Sequence, residues 1–483
     1  MHYMPRISMP SAIRRVVSWM RRVDGTVQRI ESENAELRSE LAALSHEVNG
    51  LTNGLTALTD LTRATSREVD ETRRVAMNTA RRLTSTRGRI RMVFLVHNAA
   101  AWGSIAELVR LTHAHPDFEP VVVSIPHHYS GVGPAKGEGR THRFLKSEGV
   151  THIRLHKSHL SDAAQLLRAL DPDIVVRQSQ WDADIDEAFS AESLAWTRVI
   201  LIPYETMNTT ENVPIGDPPI NSAVDTAMHR TAWLVFLANE EALAIARRDA
   251  LTAGLQFRAV GHPKLDYVRE TEPDWPLSRP DGTHRRRVLW SAHHSILTGW
   301  NDFGMFAQTH SDMLAWARDA PETEFVFMHH PLLPDTIARE GSPVSPAEYR
   351  EWLNEWTELD NAAVWDGDYA EALAAADFLV TDGPSMMIEG QMLSVPTVFL
   401  ERADHIPFND IGREIARGVH RVESVQEARQ TVLSIEESGA DPLAARQEKN
   451  VARFFGEPGA AARILEVIRA EVDAERIVLS SVR

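Results

Sequence analysis

ADFLVTDGPSMMIEGQMLSVPTVFL, Ala376–Leu400, decides the fold: a short apolar run, a tight polar turn, a helix-compatible stretch and a second apolar run. This reads as buried strand, turn, helix and buried strand, the repeating step of a parallel α/β sheet. The turn leaves backbone N–H groups at a helix start, where a diphosphate could be bound. Ser385 reads as the N-cap of that helix, and Glu389 follows one turn later on the same face.

Working outward, the same grammar recurs on both sides. Upstream of it come RVLWSAH, a helix around 303–317, TEFVFMHHP, a helix over 347–359, AAVWDG and a helix over 369–376. An earlier series runs IRMVFLVHN, AWGSIAELVRLTHAH, PVVVSIP, THIRLH, SDAAQLLRAL, PDIVVRQ, VILIPYE and WLVFLAN, followed by a helix over 240–251. Two doubly wound domains in tandem are expected, with a cleft between the carboxyl ends of their sheets. A segment rich in proline, RETEPDWPLSRPDGTHRRR, separates them.

The first part of the chain is different. Val27, Ile30, Asn34, Leu37, Leu41, Leu44, Val48, Leu51, Leu55 and Leu58 alternate in steps of three and four, a coiled-coil seam. Asn34 takes an a position, and Glu33 at g can meet Arg38 at e of a partner, so a parallel homodimer is expected. A helical hairpin broken at Gly50 or Gly54 is the competing reading. Before the seam, Ile13, Val16, Val17, Met20 and Val23 lie among Arg14, Arg15, Arg21 and Arg22, which suits either an anionic membrane surface or further heptads.

The domain expectation is therefore a basic amphipathic segment at 1–25, a coiled coil at 26–87, an acceptor domain at 88–270, a linker at 271–286 and a nucleotide donor domain with terminal helices at 287–483. Composition narrows the function classes. Residues 1–91 carry a net +6, against −23 for the other 392 residues, so the acidic body does not suit a nucleic-acid groove. The chain has no cysteine, which excludes disulfides, thiol nucleophiles and Cys-ligated metals. With no long apolar run and no signal-peptide core, a cytoplasmic protein is expected, peripheral at most to the inner face of the plasma membrane.

Four local motifs, GHPKLDYV from Gly261, WSAHHSI from Trp290, FVFMHHPLL from Phe325 and the opening stretch, stand in an order that resembles the CDP-glycerol glycerophosphotransferase family of teichoic acid and capsule synthesis. The likeness covers roughly residues 90–470. It implies an α/β GT-B fold of two Rossmann-like domains, and transfer of a polyol phosphate or sugar from a nucleotide donor to a cell-envelope polymer or lipid-linked acceptor. It further implies phosphate binding by His330, the residue before the proline, and ribose binding by Glu389. His262, Lys264, His293, His294, Asp382 and Ser385 are the other candidates for the nucleotide or its phosphates.

Relatives often carry a basic residue before the HP pair, where this chain has Met328 and His329. In teichoic acid polymerases a histidine in a WHG-type motif is the expected base, where this chain has Pro203, Tyr204 and Glu205. Glu205 and His97 are the candidate bases, and His330 the group that steadies the leaving phosphate. No cofactor or metal is expected: adjacent histidines on a strand point to opposite faces, and neither HExxH nor a DxD-like pair stands where a donor-binding metal would be expected. A nucleotide-sugar 2-epimerase and a non-catalytic binding scaffold are the alternative functions.

Overall fold

The computed structural model describes residues 11–84, 88–128, 136–211, 220–277, 285–299 and 301–481. Residues 1–10 of the basic segment, 85–87 of the expected coiled coil and 278–284 of the expected linker lie outside these. The chain divides into two units, 1–80 and 81–483.

The described part of the first unit lies in one helix, which runs without interruption over Ser11–Thr84 and excludes the hairpin reading. Gly50 and Gly54 sit inside it, and a Cβ added at either would meet open space. Its seam residues are exposed: Leu41, Leu51 and Leu55 are 66–69% accessible. No helix among the described residues is long and apolar enough to cross a membrane.

The second unit holds two parallel sheets. The first comprises β1 (Ile90–Val96), β2 (Phe118–Ser124), β3 (His152–Arg154), β4 (Ile174–Arg177), β5 (Arg198–Leu201), β6 (Leu234–Leu237) and β7 (Phe257–Ala259). Its strand order is β3-β2-β1-β4-β5-β6-β7. The second comprises β8 (Arg286–Ala292), β9 (Thr323–His329), β10 (Ala362–Val364), β11 (Phe378–Thr381), β12 (Thr397–Leu400) and β13 (His420–Val422), in the order β10-β9-β8-β11-β12-β13. Both sheets build outward from their first strand and then reverse, so each has a switch point, between β1 and β4 and between β8 and β11. The central strands are buried on both faces because helices cover both sides. In the second domain the core centres on Trp290, whose ring packs on Phe306, Phe327, Trp352 and Trp356.

Two domain boundaries differ from expectation. Trp275, placed in the linker, is buried in the second domain, with its indole N–H donating to Glu324 Oε2 at 2.9 Å. The last helix, Ala460–Ser481, packs on the first domain and not the second: Ala461, Ile464, Leu465, Ile468 and Val472 form a stripe against Ile90, Met92 and Phe94. Asp266 caps its start by accepting from the N–H groups of Gly459 and Ala460 at 3.0 and 2.9 Å. Ile464→Ala or Ile468→Ala should each cost about 2–4 kcal/mol, measured by denaturant unfolding; a loss below about 0.5 kcal/mol would show that the helix is not part of that core.

Candidate functional site

Strand register assembles the site in the second domain. Ala292 pairs with His329, and Ser291 with Thr381. His293, His330 and Asp382 therefore emerge side by side, each just past its strand at the carboxyl edge, around the switch point. Asp382 Oδ1 accepts from the His293 N–H and Oδ2 from the Met305 N–H, both at 2.6 Å. It is buried, and burial pushes its carboxyl up to about 7 against the pull of these two donors. This corrects its reading as a nucleotide ligand: both oxygens are taken by backbone, and its role is to hold the loop that carries the histidines.

The rings of His294 and His330 stack with centroids 4.3 Å apart, and His293 lies 4.4 Å from His294. Burial and mutual repulsion hold His293 and His330 well below the usual imidazole range, and burial brings His294 down to about 4. All three are neutral near pH 7. His330 Nδ1 accepts the Leu332 N–H at 3.1 Å, which leaves the proton on Nε2 as a donor. His293 Nδ1 lies 2.8 Å from Ser295 Oγ, which itself accepts from the Phe303 and Gly304 N–H groups and so donates to the ring. His293 Nε2 likewise keeps its proton. His294 Nδ1 is buried without a hydrogen-bond partner. Among the described residues no group of three or more His, Asp or Glu side chains is arranged to hold a metal ion.

The helix Pro384–Met392 starts beside them. Gly383 is its N-cap and Pro384 occupies N1, so Ser385 stands inside the first turn with an exposed side chain instead of capping it. The reason is local: proline fits N1, where no N–H is needed, and this moves the cap back by two residues. Glu389, on the same helix, is 1% exposed. Its Oε1 lies 2.7 Å from Lys264 Nζ, which also sits over the Tyr369 ring at 5.1 Å. The carboxylate expected to face a ribose thus faces a lysine of the first domain, beside the Tyr369 hydroxyl.

The first domain contributes from its own carboxyl edge. His262 caps the helix Pro263–Glu270: Nδ1 accepts from the Lys264 N–H at 3.2 Å, and Nε2 donates to the Pro203 carbonyl at 2.7 Å. Both ring nitrogens are engaged and burial lowers the group to about 4, so His262 is a strut and not a phosphate contact. His97 is buried, and desolvation together with His127 and Arg177 lowers it to about 3. Glu205, four residues past the end of β5, is shifted the other way: burial and Asp184 raise it, while Lys264 opposes. A base works best with a pKa near the working pH; the shift of Glu205 is upward from the carboxylate range, whereas His97 is moved down and away from neutrality. Arg177, which sequence reading passed over, ends β4 fully buried and ties the following loop through Asp182 Oδ1 at 2.6 Å and the Ser179 carbonyl at 2.8 Å. A charged residue closing the apolar run IVVR was the available signal.

The domains also meet through backbone. Thr210 and Phe408 form an antiparallel bridge, the Asn409 N–H donates to the Thr209 carbonyl at 3.0 Å, and the Glu211 N–H to the Pro407 carbonyl at 2.7 Å. Between this latch and Glu205 lies a cavity of about 410 Å³ that Gln180, Asn208, Arg248 and Asp410 also line.

No protein-family model matches the chain, and no curated protein sequence matches it. Solved structures do. The S. aureus MnaA–UDP structure aligns over 80% of this chain and 97% of its own, with a TM-score of 0.54 and 11% identity. The UDP-GlcNAc 2-epimerase of Neisseria meningitidis bound to UDP-GlcNAc aligns over 79% and 100%, at 0.53 and 12%. The wall teichoic acid polymerase TagF is a looser match, covering 85% and 98% at 0.49 and 10%. The likeness is one of fold. The two parallel-sheet domains are a GT-B-type pair. In this GT-B pair the histidines and Ser385 belong to the second domain, while Glu205, His97 and Lys264 come from the first.

Two predictions follow the geometry. A Cβ on Gly412 would lie 1.9 Å from the Thr209 carbonyl oxygen. Gly412→Ala should therefore open the latch, lowering stability by about 1–3 kcal/mol and enlarging the radius of gyration in solution scattering; unchanged scattering would show the latch does not hold the domains. Asp382 is raised in the folded state, so its contribution is complete at low pH and is lost as pH rises from about 4 to about 7. The stability advantage of wild type over Asp382→Asn should shrink across that window in melts at stepped pH. A constant gap would mean that the two N–H donors outweigh burial and keep the carboxylate ionised.

Proposed function

We propose that the protein is a transferase that moves a glycerol phosphate, another polyol phosphate or a sugar from a nucleotide donor to a cell-envelope polymer or lipid-linked acceptor. The observation that carries this reading is the convergence, at one carboxyl edge, of two neutral imidazoles with Nε2–H donors, the first turn of a helix and a lysine from the facing domain. Such a set suits a diphosphate: the neutral imidazole donors and the start of the helix face its oxygens, and Lys264, ion-paired with Glu389, borders them. Glu205 takes the proton of the acceptor hydroxyl. That oxygen bonds either to the β-phosphorus of CDP-glycerol, releasing CMP, or to the anomeric carbon of a nucleotide sugar, releasing the nucleoside diphosphate. His330 and His293 donate to the departing phosphate.

The fold likeness to UDP-GlcNAc 2-epimerase structures supports a second reading, in which the same cleft inverts C2 of a nucleotide sugar. Incubation with CDP-glycerol and a panel of nucleotide sugars, with and without polymer acceptor, separates the two. Transfer gives acceptor-dependent nucleotide release, whereas epimerisation gives a rearranged sugar in the absence of acceptor. For transfer, Glu205→Gln should lower kcat by about 10²–10⁴-fold, and His330→Ala by about 10²–10³-fold. Release that survives both substitutions would overturn these assignments, and nucleotide binding without any turnover would favour a scaffold.

A further inference from the structure

The helix Ser11–Thr84 presents a problem of physical chemistry that the catalytic reading does not absorb. A helix stands in water through the burial of an apolar face more than through intrinsic propensity. Here Val27, Ile30, Leu37, Leu41, Leu44, Val48, Leu51, Leu55 and Leu58 are each 45–69% exposed along an uninterrupted helix. They fall at a and d of a single phase, with Val27, Leu41, Val48 and Leu55 at a, and Ile30, Leu37, Leu44, Leu51 and Leu58 at d. Such a stripe, two positions in seven, is a coiled-coil seam and is narrower than the face by which a helix docks on a globular core. Gly50 and Gly54 fall at c and g, off the seam, so they weaken the single helix without interrupting the stripe.

We infer that Val27–Leu58 pairs with the same segment of a second copy of this chain as a parallel, in-register, two-stranded coiled coil. Three features select that occupant. Asn34 is the one polar residue among the a and d positions of this segment, and in a parallel dimer it meets its own copy, each amide donating to the other; in any shifted register it would face an apolar residue. The g positions 33, 40 and 47 are all glutamate. Antiparallel pairing sets g against g and brings these carboxylates together, whereas parallel pairing sets g against e and brings Glu33 to Arg38 of the other copy. Finally, after Leu58 the a and d positions read Thr62, Thr65, Val69, Thr72 and Ala76, so the paired stretch ends where the seam turns mostly polar.

The absence of cysteine makes the test clean. Sedimentation equilibrium of the full chain at micromolar concentration should give twice the 54.1 kDa chain mass, and Leu41→Asp combined with Leu44→Asp should return it to one chain mass with an unchanged melt of the α/β body. Leu37→Cys and Leu51→Cys, made separately, should each form a disulfide-linked dimer on mild oxidation, while Ser39→Cys at an outer f position should link at most one tenth as much. A parallel in-register pair brings every d residue to its own copy, but an antiparallel pair can do so at one position only. Linking at just one of the two sites would overturn the parallel assignment. A monomeric wild type would overturn the proposal, and one that then binds vesicles containing anionic lipid would show that a membrane surface covers the stripe.

Discussion

The contact on which the cleft depends is the ion pair between Lys264 and Glu389. It joins the start of the helix Pro263–Glu270 in the first domain to the buried helix of the second whose first turn opens beside the histidines. Lys264 and Glu389 keep only 12% and 2% of their side-chain surface. In such surroundings removing one partner leaves an uncompensated buried charge, so the pair constrains both helices more than its net stabilisation suggests. Lys264 also sets the field around it: its charge helps keep His330 neutral and opposes the upward shift of Glu205. One side chain therefore ties together the domain interface, the donor side of the site and the candidate base.

Around that pair the groups divide into those that hold and those that can act. His262 and Asp382 spend every polar atom of their side chains on backbone, and so fix where Lys264 and His293 stand. His293, His330 and Ser385 keep donors available. The division follows from hydrogen-bond capacity: an imidazole whose Nδ1 accepts a backbone N–H must carry its proton on Nε2, whereas one with both nitrogens engaged has nothing left for a ligand.

This division is what the sequence could not show. Apolar runs such as FLVT and TVFL, buried on both faces, announced their strands directly. The short edge strands FRA and HRV did not, because an arginine in three residues hides any pattern, and β7 and β13 owe their existence to a neighbour in the sheet. At the site, a histidine or aspartate just past an apolar strand looks the same whether it binds a ligand or a backbone N–H, so Asp382 and His262 read like His293 and His330. Ser385 was misplaced as a cap because serine at a helix start is common and Pro384 displaced it. The latch at Thr209–Glu211 and Pro407–Asn409 is made of main chain, which any side chains would carry equally well, apart from the space that Gly412 leaves.

The helix that closes the second unit gives the first domain a discontinuous chain. The polypeptide crosses between the domains once after Glu270 and again near Gly456, which packs against Gly261. A domain hung on one strand can swivel in any direction, but one hung on two is confined to turning about the line that joins them. Opening of the cleft is thereby reduced to a single scissor-like degree of freedom, and residues 88–270 expressed without their distant C-terminal segment would expose the apolar flank of β1 to water.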